Sequence, residues 1–182
     1  MASKSLSELE EMVGTSRRTV EDLRVEAGKV EEFATTLRND DPIHRDEAAA
    51  EERGYDAIPA PLIFTRIAYF ERHRPDGVGN DLGFDLGFDP DNVLHGEQEY
   101  EFEHPVYVGD ELTGTTTLTD VRQSESARSG TMTFAVYETE YRDENDDLVV
   151  TERITRIETG GDGGDDGDEA ANDEPSDREE DE

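Results

Sequence analysis

Apolar positions recur with two different periods along this chain, and the change falls near Val93. Before it the spacing is helical. In SLSELEEMVGTS, Leu6, Leu9 and Val13 stand at i, i+3 and i+7 and predict a short amphipathic helix. RTVEDLRVEAG predicts a weakly extended segment ending at Gly28. KVEEFATTLR sets Val30, Phe33, Ala34 and Leu37 on one helical face. Pro42 stops simple helical continuation and steers Asp41 towards extended backbone. RDEAAAEERG predicts another short helix, with Gly54 as its C-terminal cap. PLIFTRIAYFERH is apolar over most of its circumference at Leu62, Ile63, Phe64 and Ile67. It predicts a buried central helix with Pro61 in its first turn.

RPDGVGNDLGFDLGFDPDN then reads as a long Gly- and Asp-rich loop. Beyond Val93 the period becomes two. LHGEQEYEFEHPV alternates with Tyr100 and Phe102 on one face, and ELTGTTTLTDVRQ is Thr-rich. GTMTFAVYETEYR aligns Met132, Phe134, Val136 and Glu138, and LVVTERITRIE closes the series after a DENDD turn. Helices followed by three or four long antiparallel strands around one buried helix is an α+β pattern.

Charge changes the picture at the C-terminus. The chain has 182 residues with 49 acidic and 17 basic side chains, a net charge of −32. From Gly160 onward there are twelve acids, one arginine and no Val, Ile, Leu or aromatic residue, so no core can form there. The expected organisation is a helical extension over 1–16, a folded domain over 17–159 and an acidic disordered tail over 160–182. Without that tail the body still carries about −21. Only two of the basic residues are lysines, Lys4 and Lys29. An acidic, lysine-poor body repels itself in dilute salt and suits a salt-rich, halophilic cytoplasm, where the Debye length falls to about 3 Å at 1 M. Nucleic acid and anionic membranes are not expected partners, because phosphates need cations. There is no cysteine, no apolar run of membrane-spanning length and no signal-peptide pattern, so a cytoplasmic location is expected.

The chemistry-bearing residues gather in NDDPIHRDE. His44 follows Pro42 closely, among carboxylates. None of the four histidines pairs with another at metal-ligand spacing, so no metal is expected. Asp81, Asp85, Asp89 and Asp91 lack the ligand order of a calcium loop and read as a solvated acidic surface. Phe84 and Phe88 in the same loop are aromatics to be packed on the domain, on a partner or over a tunnel mouth.

Three stretches in order resemble the MaoC-like dehydratase family: VEAGKVEEFATTLRNDDPIHRDEAAAEERGY, IPAPLIFTRI, and VLHGEQEYEFEHPVYVGDELTGTTTLTDV with GTMTFAVYETEYRDENDDLVVTE after it. Together they span most of Val25 to Glu152 and look like the N-terminal dehydratase-like domain of paired (3R)-hydroxyacyl-thioester dehydratases. The resemblance implies a hotdog fold, an antiparallel sheet wrapped around a central helix, pairing edge to edge into a double hotdog. It also implies an (R)-specific 3-hydroxyacyl-thioester dehydratase, or enoyl-thioester hydratase in reverse, of the hydro-lyase class. The substrate would be an acyl thioester on coenzyme A or acyl carrier protein, as in fatty acid metabolism, with no metal or redox cofactor.

Active members of that family carry an Asp five positions before the His, and this pair divides the acid and base roles around one water. Here His44 and Pro42 match, Asn39 stands at the Asp position, Asp40 is one residue late, and Asp41 replaces the usual Asn. An amide is no general base near neutral pH. The family's oxyanion donor is a backbone N–H at the start of the central helix. The corresponding place is Ala60-Pro61-Leu62, where Pro61 has no N–H to give and Leu62 brings a bulky side chain. The candidate catalytic residues are therefore His44 with Asn39 or Asp40, and the candidate substrate-binding residues are Asp41, Pro42, Ala60, Pro61 and Leu62. With two catalytic parts altered, the expected role is the acyl-binding member of a heterodimer whose catalytic hotdog partner supplies the Asp/His pair. The alternatives are a self-sufficient homodimeric hydratase using His44, and a non-enzymatic acyl-thioester binding module.

Overall fold

A computed structural model describes residues 3–79, 81–126 and 130–160. The acidic tail expected over 160–182 lies outside them after Gly160. Three helices, α1 (Leu6–Glu10), α2 (Ala27–Thr36) and α3 (Glu47–Glu52), accompany five strands. The strands are β1 (Ser16–Arg24), β2 (Val93–Phe102), β3 (Glu111–Ser126), β4 (Gly130–Arg142) and β5 (Leu148–Glu158). They form one antiparallel sheet in the order β1-β3-β4-β5-β2. This is the expected α+β hotdog sheet.

Local chemistry sets the ends of the helices. Ser5 and Glu8 make a capping box at α1, with the Glu8 carboxylate accepting the Ser5 N–H at 2.8 Å. Gly54, at φ +85°, follows α3 as a left-handed cap. The extended segment expected to reach Gly28 ends earlier, at Arg24, and Gly28 lies inside α2.

One face of the sheet is buried, in two halves. Over the first, Val30 of α2 with Phe64, Ile67 and Ala68 packs on Val20, Leu23, Tyr141 and Val150. Over the second, Leu9 of α1 and the loop residues Leu82, Phe84 and Leu86 pack on Leu118, Val121, Ala135 and Tyr137. The loop segment 82–86 thus contributes to the core. Phe84 is fully buried, with its ring 5.6 Å from Tyr137. A bulge between Leu118 and Asp120 keeps both Leu118 and Val121 on the inner face of β3.

One expectation needs correction. PLIFTRIAYFERH forms no α-helix: it makes 3-10 turns at Phe64–Tyr69 and Glu71–His73. The Phe64 N–H closes onto the Pro61 carbonyl at 2.8 Å, an i to i+3 bond, and its aromatic and β-branched residues hold helix weakly. Leu62 is 71 % exposed and Ile63 39 %, so the apolar circumference is not uniformly buried. Met132, Phe134, Val136 and Glu138 share one face of β4 as expected, and it is the half-buried outer one, whereas Thr133, Ala135, Tyr137, Thr139 and Tyr141 form the inner face. Both faces of this strand carry apolar groups, so alternation alone does not choose between them.

The inner face also holds polar chains. Thr19, Thr116 and Thr139 link by hydroxyl contacts of 2.7 Å each. Glu152, 1 % exposed, accepts from the Tyr141 hydroxyl at 2.9 Å, from Tyr100 at 3.2 Å and from Gln98. Burial pushes its carboxyl above the usual carboxylate range.

Candidate active site

Two local devices build the His44 site. Asp41 caps the 3-10 turn Pro42–His44, its Oδ1 accepting the Ile43 N–H at 3.3 Å, and Pro42 presets the first turn. Segment 58–60 then pairs with 106–108: Ala60 N–H donates to the Val106 carbonyl at 2.7 Å and Val108 N–H to Ile58 at 2.9 Å. This pairing lays Pro59 against the turn and draws the end of β2 to it.

His44 is 6 % exposed, and both ring nitrogens are engaged. Nδ1 lies 2.7 Å from the Pro59 carbonyl, which only accepts, so Nδ1 carries the hydrogen. Nε2 lies 3.0 Å from Asn39 Nδ2. The orientation of that amide is fixed by its other end, where Asn39 Oδ1 accepts the Asp41 N–H at 3.1 Å. Asn39 therefore donates to the lone pair of Nε2. The lone pair of Nε2 is thus occupied by the amide.

A cleft of about 620 Å³ opens beside this pair. Asn39, His44, Ala60, Pro61 and Leu62 line it. Asp40, Asp41 and Pro42 do not. Asp40 is exposed and shares no hydrogen bond with His44. Asp41 is spent on the turn and on Arg53 Nη1 at 2.8 Å; the Ile43 amide and then that guanidinium hold its carboxyl below the usual range. Among the described residues the Leu62 and Ile63 amides donate to no acceptor. The opposite wall, Phe102, Glu103, His104 and Val106, was not anticipated. The histidine-proline step of EHPV, just past a strand, was the available signal. Among the described residues no group of three or more His, Asp or Glu could hold a metal ion, and no helix is long and apolar enough to cross a membrane.

The arrangement offers a dry histidine, an apolar cleft and two unused amides, without a carboxylate on the histidine. Comparison with known proteins gives the family. Residues 11–152 match the family described as the FAS1-like, dehydratase domain region. A UPF0336 protein of Saccharopolyspora erythraea is 32 % identical over 130 residues, covering 71 % of this chain and 69 % of its own. One from Mycobacterium leprae is 31 % identical over 150 residues, covering 82 % and 85 %. Among solved structures, a MaoC-like dehydratase superposes with a TM-score of 0.68 at 26 % identity over 82 % of this chain and 43 % of that one. The HadBC (3R)-hydroxyacyl-ACP dehydratase complex of Mycobacterium tuberculosis superposes at 0.62 with 24 % identity, over 80 % and 96 %, which speaks for the fold. The chain belongs to the FAS1-like dehydratase family of MaoC-like hotdog proteins.

Proposed function

We propose that this chain is the acyl-binding subunit of an (R)-specific 3-hydroxyacyl-thioester dehydratase, working beside a catalytic hotdog partner. One observation carries the reading: Asn39 donates its amide hydrogen into His44 Nε2. Hydration of an enoyl thioester needs a base to take a proton from water as its oxygen bonds to C3, and an acid to return a proton to C2. His44 in this state offers neither a free lone pair nor a proton to the cleft, and the amide of Asn39 is no substitute base. The partner's Asp/His pair would do that work. This chain would supply the apolar wall around Pro61, Leu62 and Phe102. Strands β1 and β2, each bonded to a single neighbour, are the two edges of the sheet and offer the places for pairing. Two of the structural neighbours are complexes of two different subunits, which supports a hotdog partner. The thioester carrier belongs to the substrate, and neither metal nor redox cofactor takes part.

A self-sufficient homodimeric hydratase is the second reading. The unused Leu62 and Ile63 amides favour it, since an oxyanion donor would survive even with Pro61 in place. Hydration of a short enoyl-CoA, followed by loss of its ultraviolet absorbance, separates the two. Our reading expects no turnover from the chain alone and turnover after adding an intact Asp/His hotdog subunit from the same cell. Turnover by the isolated chain that disappears in His44→Ala would establish the second reading instead. Failure of any partner to restore activity, with acyl-thioester binding retained, would leave a binding module.

A further inference from the structure

A small cavity lies on the inner face of the sheet where four segments meet: Thr19 of β1, Thr139 and Tyr141 of β4, Tyr69 of the 3-10 turns, and Arg74 and Leu82 of the loop beyond them. It measures about 10 Å³, room for one water or one small ion, and shares no lining residue with the His44 cleft. Two donors there lack an acceptor. The first is Arg74. Its Nη1 donates to the Gly79 carbonyl, and its face lies over the Tyr69 ring, 4.9 Å from the centroid. Stacking engages the face of a guanidinium and leaves its in-plane N–H groups to be satisfied. Nη2 is buried and, among the described residues, meets no acceptor. Arg66 lies over the same ring at 4.1 Å but has Glu152 at 3.9 Å. Arg74 makes no ion pair among the described residues, and nearby Asp81 gives its Oδ1 to the Gly83 N–H at 3.0 Å. Burial pushes the Arg74 guanidinium below its usual range. The second donor belongs to the threonine chain, in which Thr116 contacts Thr19 and Thr139 at 2.7 Å each. Its three hydroxyls bring three hydrogens, and the two links consume two. With both links running in one direction the third hydrogen sits at an end, on Thr19 or Thr139, and both ends line the cavity.

We propose that this cavity binds a chloride ion, held by Arg74 Nη2 and by the spare hydroxyl hydrogen of Thr19 or Thr139. A half-buried guanidinium without a carboxylate needs a counter-charge, because a charge taken from water is costly unless paired. A halide supplies that charge and accepts every hydrogen aimed at it. A water would accept them too, but it brings two more hydrogens and no charge. Carboxylate and phosphate ions are too large for the space. The net charge of −32 opposes an anion only in dilute salt; at about 1 M the Debye length of about 3 Å leaves the local donors to decide. Bound there, the ion would tie β1, β4, the 3-10 turns and the following loop together. An acidic chain would thus owe part of its salt dependence to one specific anion.

The test unfolds the full chain with urea in potassium gluconate, exchanging chloride for gluconate at constant potassium and ionic strength. Screening is then fixed, and a bound halide shows as a saturable rise in the midpoint. At a chloride concentration about ten times Kd the folding equilibrium constant should rise about elevenfold. Arg74→Gln should abolish that rise and keep the general dependence on ionic strength. Diffraction from crystals grown in bromide needs no variant, and its anomalous map should show a peak beside Arg74 Nη2. Midpoints that coincide in the two anions, an equal chloride increment in Arg74→Gln, or a water in the cavity without an anomalous peak would overturn the site.

Discussion

Asn39 and His44 are locked together: the amide nitrogen lies 3.0 Å from Nε2, while Nδ1 gives its hydrogen to the Pro59 carbonyl at 2.7 Å. A carboxylate in the place of Asn39 could only accept, so Nε2 would have to carry a proton as well. Asn39→Asp should therefore place a hydrogen on Nε2, facing the new carboxylate. Ring-nitrogen chemical shifts read this directly. A variant whose Nε2 still carries no hydrogen would show that residue 39 does not set the hydrogen pattern of the ring.

Kinetics of the same variant test the role assigned to the chain. If Asn39 alone removed the activity, Asn39→Asp should give measurable hydration of a short enoyl-CoA without any partner. A gain of about 10²-fold or more over the unsubstituted chain is the size expected of a positioned acid–base group. Absence of any gain, with the hydrogen on Nε2 in place, would point to Pro61 and its missing N–H as the second lesion.

Glu152 makes stability depend on pH. Burial raises its folded pKa above the unfolded value of about 4.3. The stability contributed by the protonated form is thus complete below that value and is lost as pH rises through the folded pKa. Glu152→Gln removes this loss. The variant should gain on the parent as pH increases from about 4 towards neutrality, and then hold a constant advantage. Urea midpoints across that range measure it, and parallel curves for the two proteins would refute the assignment.

Gly114 is a packing constraint. A Cβ there would meet Val20 Cβ and Cγ2 at 2.9 Å, and Tyr141 Cε1 at 3.3 Å. Gly114→Ala should cost about 1–3 kcal/mol in chemical unfolding, by overpacking where β1 crosses β3. A neutral effect would mean that β1 can move aside.

The net charge of −32 predicts a salt requirement. Stability should rise steadily with potassium chloride as like charges are screened, and much of the gain should come below about 1 M, where the Debye length has shortened to about 3 Å. Unfolding midpoints unaffected by salt would remove the electrostatic argument for a halophilic interior.

Periodicity alone determined the strands and two of the helices, because a single-residue slip along β2 or β5 would turn a whole apolar face to water. The Asn39, Pro42, His44 pattern likewise marked the site, since a proline turn fixes those side chains locally. Other features were settled only by tertiary packing. The inner face of β4 was decided by pairing, which sets Thr139 against Glu152 and Thr116, because both faces of the strand are apolar enough to bury. The expected central helix became 3-10 turns, since docking Phe64 and Ile67 into the sheet outweighs weak helix propensity. Phe102 and His104 joined the His44 cleft because Ala60 pairs with Val106, a contact between segments 46 residues apart that no local spacing encodes.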